Sequence, residues 1–192
     1  MFKSFFPQPK PFFLSALIWT TIVMIGWYAG LGRLGASLGL GVTAEGEEPV
    51  IGLGHFATPE FLWFYVYYGI AVGLFAAYWH RRAHHPWEMW SILGSALILF
   101  VTYFNVQVSV AINNWRRPFF DGVQEALTEG STVTAADLFG LILVFAQLAF
   151  LFIAVIVVFR FYVSHWIFRW RTAMNDYCMP RWKQVRHIEG AS

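Results

Sequence analysis

The sequence predicts an all-α integral membrane protein with four transmembrane helices, the fourth extending into the cytoplasm. Three observations predict it. Hydrophobic residues make up 58%, aromatics 20% and charged residues 12% of the 192, where a soluble domain carries roughly 25% charge. Four apolar runs reach or approach the roughly 20 residues that cross a bilayer: about Phe12 to Leu31, Phe61 to Trp79, Trp90 to Ile112 and Leu138 to Phe159. The Lys and Arg residues collect in alternate segments between them.

Twenty Phe and ten Trp exceed what one soluble core of this length hides, so lipid must solvate much of the surface. The competing reading, buried helices of a soluble protein, leaves that surplus unexplained. No span carries Asp, Glu, Lys or Arg in its central part, where a charge costs at least about 2.5 kcal/mol. Trp and Tyr gather near the ends (Trp27, Tyr28, Trp63, Tyr78, Trp79, Trp87, Trp90, Trp115), as an interfacial belt requires. A net charge of +2 gives no footing for nucleic acid. The single cysteine, Cys178, offers neither a disulfide framework nor a metal motif. The opening MFKSFFPQPKPFF has no small-residue cleavage site and reads as retained.

Orientation follows from the cations. With the N-terminus inside, segments 1–11, 80–89 and 160–192 hold Lys3, Lys10, Arg81, Arg82, Arg160, Arg169, Arg171, Arg181, Lys183 and Arg186. Arg33, Arg116 and Arg117 fall outside, together with Glu45, Glu47, Glu48, Glu60, Asp121, Glu125, Glu129 and Asp137. The Lys/Arg bias places both termini in the cytoplasm. The chain reads as a single membrane domain over 1–192, with 160–192 a cytoplasmic helical extension.

The first outer loop, Gly32 to Pro59, is Gly-rich and shows no secondary-structure period. The inner turn HRRAHHPWEMW sets His80, His84 and His85 beside two arginines. His80 and His84 have the spacing of two metal ligands on a helix face, but no third ligand follows and Pro86 breaks the segment. A positively charged, headgroup-facing turn is the better account. In the second outer segment Trp115, Phe119, Val123 and Leu127 recur every four residues, so the third helix either runs past the bilayer or gives way to an interfacial amphipathic helix. Thr134 is placed to N-cap the fourth helix, with Asp137 in its first turn. Between Leu141 and Met179 there is no Gly or Pro, so the fourth helix continues to Pro180, kinks there and resumes over Arg181 to Ile188. Forty residues of it would span about 60 Å, twice the hydrocarbon thickness.

Several polar groups lie within the spans. Asn105, Gln107, Ser109 and Gln147 need partners in lipid, and either pack helices together or line a substrate path. Asn105 and Ser109 share a face at i,i+4. Asp121 and Glu125 form either a solvated acidic face or an outer vestibule. Gly69 and Gly73 make one G-x-x-x-G, the mark of a close helix contact. Glu60, after Thr58–Pro59, is either a helix N-terminal acid or a vestibule group. Asp176, amid Arg169, Arg171 and Arg181, reads as one member of an ion pair.

The segments MFKSFFP, FVTYFNVQVSVAINNWRRPFFDGVQ and VSHWIFRWRTAMNDYCMPRWKQVRHIEGAS resemble the SbmA/BacA family of bacterial inner-membrane peptide transporters. The motif Asn113-x-Trp115-x-x-x-Phe119-Phe120-Asp121-x-x-Gln124 is similar to one shared with certain ABC-exporter membrane domains, which usually carry Tyr where Phe120 stands. Trp170–Arg171 and the Tyr177 region resemble the start of those exporters' first coupling loop. The resemblance implies a homodimer with an ABC-exporter-like membrane fold, no nucleotide-binding domain and no ATPase subunit. It implies import of antimicrobial peptides or peptide antibiotics driven by the proton gradient, with a link to very-long-chain fatty acids of the envelope, and no enzymatic activity or cofactor. The sequence itself contains no G-x-x-x-x-G-K-[ST] phosphate loop. Family members continue with further membrane helices beyond HIEGAS, so the resemblance implies the N-terminal half of a longer transporter.

Proton coupling needs a carboxylate or imidazole whose surroundings alternate between wet and drier. Glu189, in the family-matching segment beside His187, is the leading candidate, with Glu60 another; a solvated Glu189 balancing Arg186 is the plain alternative. Two other readings stay open: a membrane subunit working with a separate ATPase, and a membrane enzyme holding haem or metal through its histidines, none of which lies inside a span.

Overall fold

The computed structural model describes residues 2–39, 49–128 and 132–188, with side chains as far as 182. Four long helices dominate it: α1 (Pro9–Ala29), α3 (Pro59–Arg82), α4 (Glu88–Ala126) and α5 (Ala135–Ile188), with α2 a single turn, Leu34–Ser37. All four long helices are apolar enough to cross a membrane, and the best window of each is only 6–11% buried. Helices hidden in a soluble core would not leave such windows open, so the soluble reading falls. The described residues contain no strand, and the chain is a multi-pass, all-helical membrane protein.

The second outer segment resolves to the first of its alternatives, because α4 continues unbroken through Trp115 and Phe119 to Ala126 despite an internal Pro118. The fourth helix is longer than the apolar run: α5 has 54 residues and passes Pro180 within one helix, an extent of about 80 Å at 1.5 Å per residue. Its start is capped as the sequence indicates. Thr134 Oγ1 donates to Asp137 Oδ2 at 2.7 Å, and Asp137 N–H returns a longer bond to Thr134 Oγ1 at 3.4 Å.

The first outer loop departs from expectation. It holds a 3₁₀ turn at Leu31–Arg33, then α2, and a second 3₁₀ turn at Leu53–Ala57; residues 40–48 lie outside the described set. No hydrophobic period announced these turns because each is shorter than two helical repeats. Aromatic docking holds them instead. Trp63 Nε1 donates to Leu31 O at 2.9 Å, and Gly35 lies so close beneath that ring that a Cβ would stand 2.8 Å from Trp63 Cγ.

Contacts divide the chain into two units. The first comprises Met1–Gly26, Tyr68–Leu99 and Phe159–Ser192. Its core is aromatic: Phe5, Phe6, Phe12, Trp79, Ile92 and Ala173 are buried, ringed by Trp87, Trp90, Trp166 and Trp170. Indole donors tie its segments together, Trp19 to Ala71 O at 3.0 Å, Trp79 to Ser15 Oγ at 3.1 Å and Trp166 to Trp90 O at 2.9 Å. Such bonds matter in a bilayer, where apolar faces gain nothing by leaving lipid for one another. The second unit comprises Trp27–Tyr67 and Phe100–Val158. Ala111, Trp115 and Leu148 form its buried centre, with Ile51, Phe56, Ile112, Phe119 and Val144 against them.

The glycines correct one expectation. A Cβ on Gly69 or Gly73 would meet nothing within 4 Å, so the G-x-x-x-G makes no close helix contact among the described residues of this chain. The close approach occurs at Gly94, where a Cβ would lie 2.6 Å from Trp166 Cδ1 and 3.0 Å from Tyr162 Oη.

Candidate functional site

The Asn113–Gln124 motif sits on α4, and the helical period splits it in two. Trp115 and Phe119 fall on the face that packs. Trp115 is 9% exposed, its Nε1 donates to Leu141 O at 2.7 Å, and its ring lies 4.8 Å from Phe119 and 4.7 Å from Phe145. Asn113, Phe120, Asp121 and Gln124 fall on the opposite, exposed side. At 100° per residue, positions 113, 120 and 124 lie within about 40° of arc. Asp121 faces Arg117 Nε at 3.6 Å, with side chains 65% and 89% exposed, a pair that solvent screens almost completely. Glu125 is exposed as well. The motif therefore joins a structural half, which locks α4 to α5, to a half left open for a ligand or partner.

The polar residues of the spans do not converge. Ser109 Oγ donates to Asn105 O at 3.2 Å within its own helix, so the shared face links the hydroxyl to backbone and not to the Asn105 amide. Asn105 Oδ1 is buried without a hydrogen-bond partner among the described residues. Gln147 is exposed, one position before the fully buried Leu148. Glu60 occupies the first turn of α3, exposed, where the helix dipole favours an acid. Apart from that bond from Ser109 to the Asn105 main chain, no hydrogen bond joins Glu60, Asn105, Ser109, Gln147, Asp121 or Glu125 to one another among the described residues. Glu189 lies outside the described residues, as does the side chain of His187.

Toward the end of α5, Trp170 stacks on Phe5 at 5.7 Å with 17° between the rings, while Arg171 is exposed. Asp176 makes no ion pair among the described residues. Arg181 turns to Tyr177 instead, its Nη1 donating to Tyr177 O at 2.8 Å with the guanidinium 3.4 Å from the ring centre. Arg169 lies 5.2 Å from the Trp90 ring and donates to His165 Nε2 at 3.3 Å. Aromatic faces, not carboxylates, receive these cations.

A family comparison bears on the same residues. The SbmA/BacA-like family model matches residues 84–192, more than half of the chain and all of the motif just described. The chain belongs to the SbmA/BacA-like family. The match takes in α4 and α5 together with the Trp170–Arg171 and Tyr177 positions. The face of α4 bearing Asn113, Phe120, Asp121 and Gln124 is thus a family-matched surface that the chain's own packing leaves open.

Two polar arrangements escaped the sequence reading. His55, in the outer 3₁₀ turn, nests against Phe61 at 4.9 Å and Phe56 at 5.3 Å. Burial holds its imidazole below the ordinary value of 6.5, and the side-chain amide of Gln107 works in the opposite direction. Isolated in a Gly-rich loop, it carried no spacing signal. The other is the link between His80 Nδ1 and Glu88 Oε1. Helix α3 stops at Arg82, yet the His84 ring stays beside that of His80, with centroids 4.8 Å apart. Among the described residues no group of three His, Cys, Asp or Glu could hold a metal ion. The lone acid amid five basic residues was the available clue to the Glu88 link.

Proposed function

We propose that this chain contributes membrane helices to a proton-coupled importer of peptides in the bacterial inner membrane. The family match over α4 and α5 carries the reading. In this reading the open face of Asn113, Phe120, Asp121 and Gln124 meets the substrate path or a second copy of the chain in a homodimer of ABC-exporter-like form. Asp121 and Glu125 give that face its acidic character, suited to cationic peptides. Both termini lie in the cytoplasm, with residues 160–192 projecting there as the end of α5. Glu189 and His187 relay the coupling proton, with Glu60 serving the outer side, and no ATPase subunit takes part. A link to very-long-chain fatty acids of the envelope belongs to the same family reading.

The test is uptake of a labelled proline- or arginine-rich peptide by cells expressing the chain, with an empty-vector control. Uptake should rise with expression and fall to the control when a protonophore collapses the gradient. Uptake that survives the protonophore but ends on ATP depletion would replace this reading with a membrane subunit working beside an ATPase.

A further inference from the structure

We propose that the turn between α3 and α4, with the stripe of α3 leading to it, binds an anionic phospholipid. Five basic residues, His80, Arg81, Arg82, His84 and His85, crowd this turn. The one acid beside them is already committed. Glu88 is buried; its Oε1 takes His80 Nδ1, and its Oε2 accepts the His85 backbone N–H at 3.3 Å. Arg81 and Arg82 are exposed and have no carboxylate partner among the described residues. An anionic headgroup is the complement that suits them.

The turn is built to hold its donors still. Trp79, 1% exposed, anchors it from below, and Ala83 and Trp87 pack on the same core. Glu88 closes it from the side. Arg82 Nη1 donates to Tyr78 Oη at 3.0 Å, with its Cζ 5.8 Å from that ring, which fixes the guanidinium over an aromatic face. The Trp87 backbone N–H donates to His85 Nδ1 at 3.2 Å. That nitrogen therefore presents its lone pair, and the proton of a neutral ring sits on Nε2, a donor free for phosphate oxygen.

A lipid, and not a soluble phosphate, fits because the cations cap an apolar stripe. Ile70, Leu74 and Tyr78 are 54%, 57% and 49% exposed. At 100° per residue they share one face of α3 with Arg81, and Arg82 borders it. The eleven steps from Ile70 to Arg81 cover about 16 Å, close to the roughly 15 Å of one leaflet's hydrocarbon. An acyl chain can lie along Ile70 and Leu74 while its headgroup phosphate reaches the arginines.

The experiment is native mass spectrometry of the full, delipidated chain in mild detergent, with phosphatidylglycerol or phosphatidylcholine added. Phosphatidylglycerol should be retained preferentially, and millimolar inorganic phosphate should not displace it. The double substitution Arg81→Gln and Arg82→Gln should weaken it about thirtyfold, about fivefold for each cation removed from an anionic headgroup. Arg116→Gln with Arg117→Gln, the other adjacent arginine pair, should leave it unchanged. Glu88→Gln separates a built site from bulk charge: it removes a negative charge yet frees the turn, so binding should fall. A rise in binding with Glu88→Gln, equal loss in both arginine pairs, equal retention of phosphatidylcholine, or displacement by free phosphate would each overturn the proposal.

Discussion

Replacing Gly94 with alanine should destabilise the first unit although alanine is the better helix former. In an unobstructed helix interior the exchange gains about 1 kcal/mol. Here the added Cβ would stand 2.6 Å from Trp166 Cδ1 and 2.7 Å from Trp166 Nε1, about 1 Å inside the 3.5–4.0 Å of a comfortable carbon contact. The indole has no easy retreat. Its Nε1 donates to Trp90 O at 2.9 Å, and its ring meets Phe5 and Trp170, each at 5.3 Å. Overpacking of this kind costs about 1–3 kcal/mol, and loss of the indole bond adds about 1 kcal/mol. The net should be destabilisation by about 2 kcal/mol. Gly73→Ala is the matched control, since a Cβ there touches nothing within 4 Å; it should be neutral or stabilising by up to about 1 kcal/mol. The assay is reversible unfolding in mixed micelles as the proportion of denaturing detergent rises, followed by tryptophan fluorescence. In a Trp166→Phe background the cost of Gly94→Ala should shrink, because the smaller ring leaves room for the methyl. A Gly94→Ala protein as stable as Gly73→Ala, or a cost unchanged by Trp166→Phe, would refute the reasoning.

Trp115→Ala should cost about 3–5 kcal/mol by the same assay, since it empties the centre of the second unit, and it also removes the indole bond to Leu141 O that ties α4 to α5. Asp121→Asn should move stability by less than about 0.5 kcal/mol yet lower peptide uptake, because its pairing with Arg117 is solvent-exposed; unchanged uptake would remove Asp121 from the path. His55 sets a pH dependence. Its folded-state value lies below the ordinary 6.5, so the fold favours the neutral ring; stability is full above about 6.5 and declines as the pH falls through the folded value. Melting temperature should therefore drop as the medium is acidified below 6.5, and His55→Phe should flatten that part of the profile. Phe5→Ala should lower the first unit's stability by about 3–5 kcal/mol, because Phe5 is fully buried against Trp166 and Trp170.

The four long helices were legible because composition and run length act over twenty residues at a time. The Thr134–Asp137 cap was legible because capping needs only local spacing. What escaped depends on the partner. Gly69 and Gly94 look alike in sequence, and only Trp166, 72 positions beyond Gly94 in the numbering, makes one of them indispensable. The short turns at Leu31–Arg33 and Leu53–Ala57 are held by Trp63 and by the Phe56 core, distant contacts that no local period encodes. Asp176 reads as one member of an ion pair from the charge and spacing of the arginines around it, whereas among the described residues Arg181 meets the face of Tyr177. For the motif on α4, residue identity gave the family, and the helical period already separated Trp115 and Phe119 from Asn113, Phe120 and Gln124. Which of those two faces would be covered was decided by Leu141 and Phe145 on α5.

The indole bonds carry a consequence for how this protein can change. Trp19, Trp63, Trp115 and Trp166 each donate to a main-chain carbonyl, of Ala71, Leu31, Leu141 and Trp90 respectively. A carbonyl is present whatever side chain stands at the accepting position. The cross-link therefore constrains the donor's identity but only the acceptor's place. Exchange of the tryptophan for phenylalanine, conservative by size and polarity, discards the bond, while many exchanges at Leu31 or Leu141 preserve it. Sequence drift in such a fold is lopsided: the tryptophans stay fixed while the surfaces they clasp remain free to diversify.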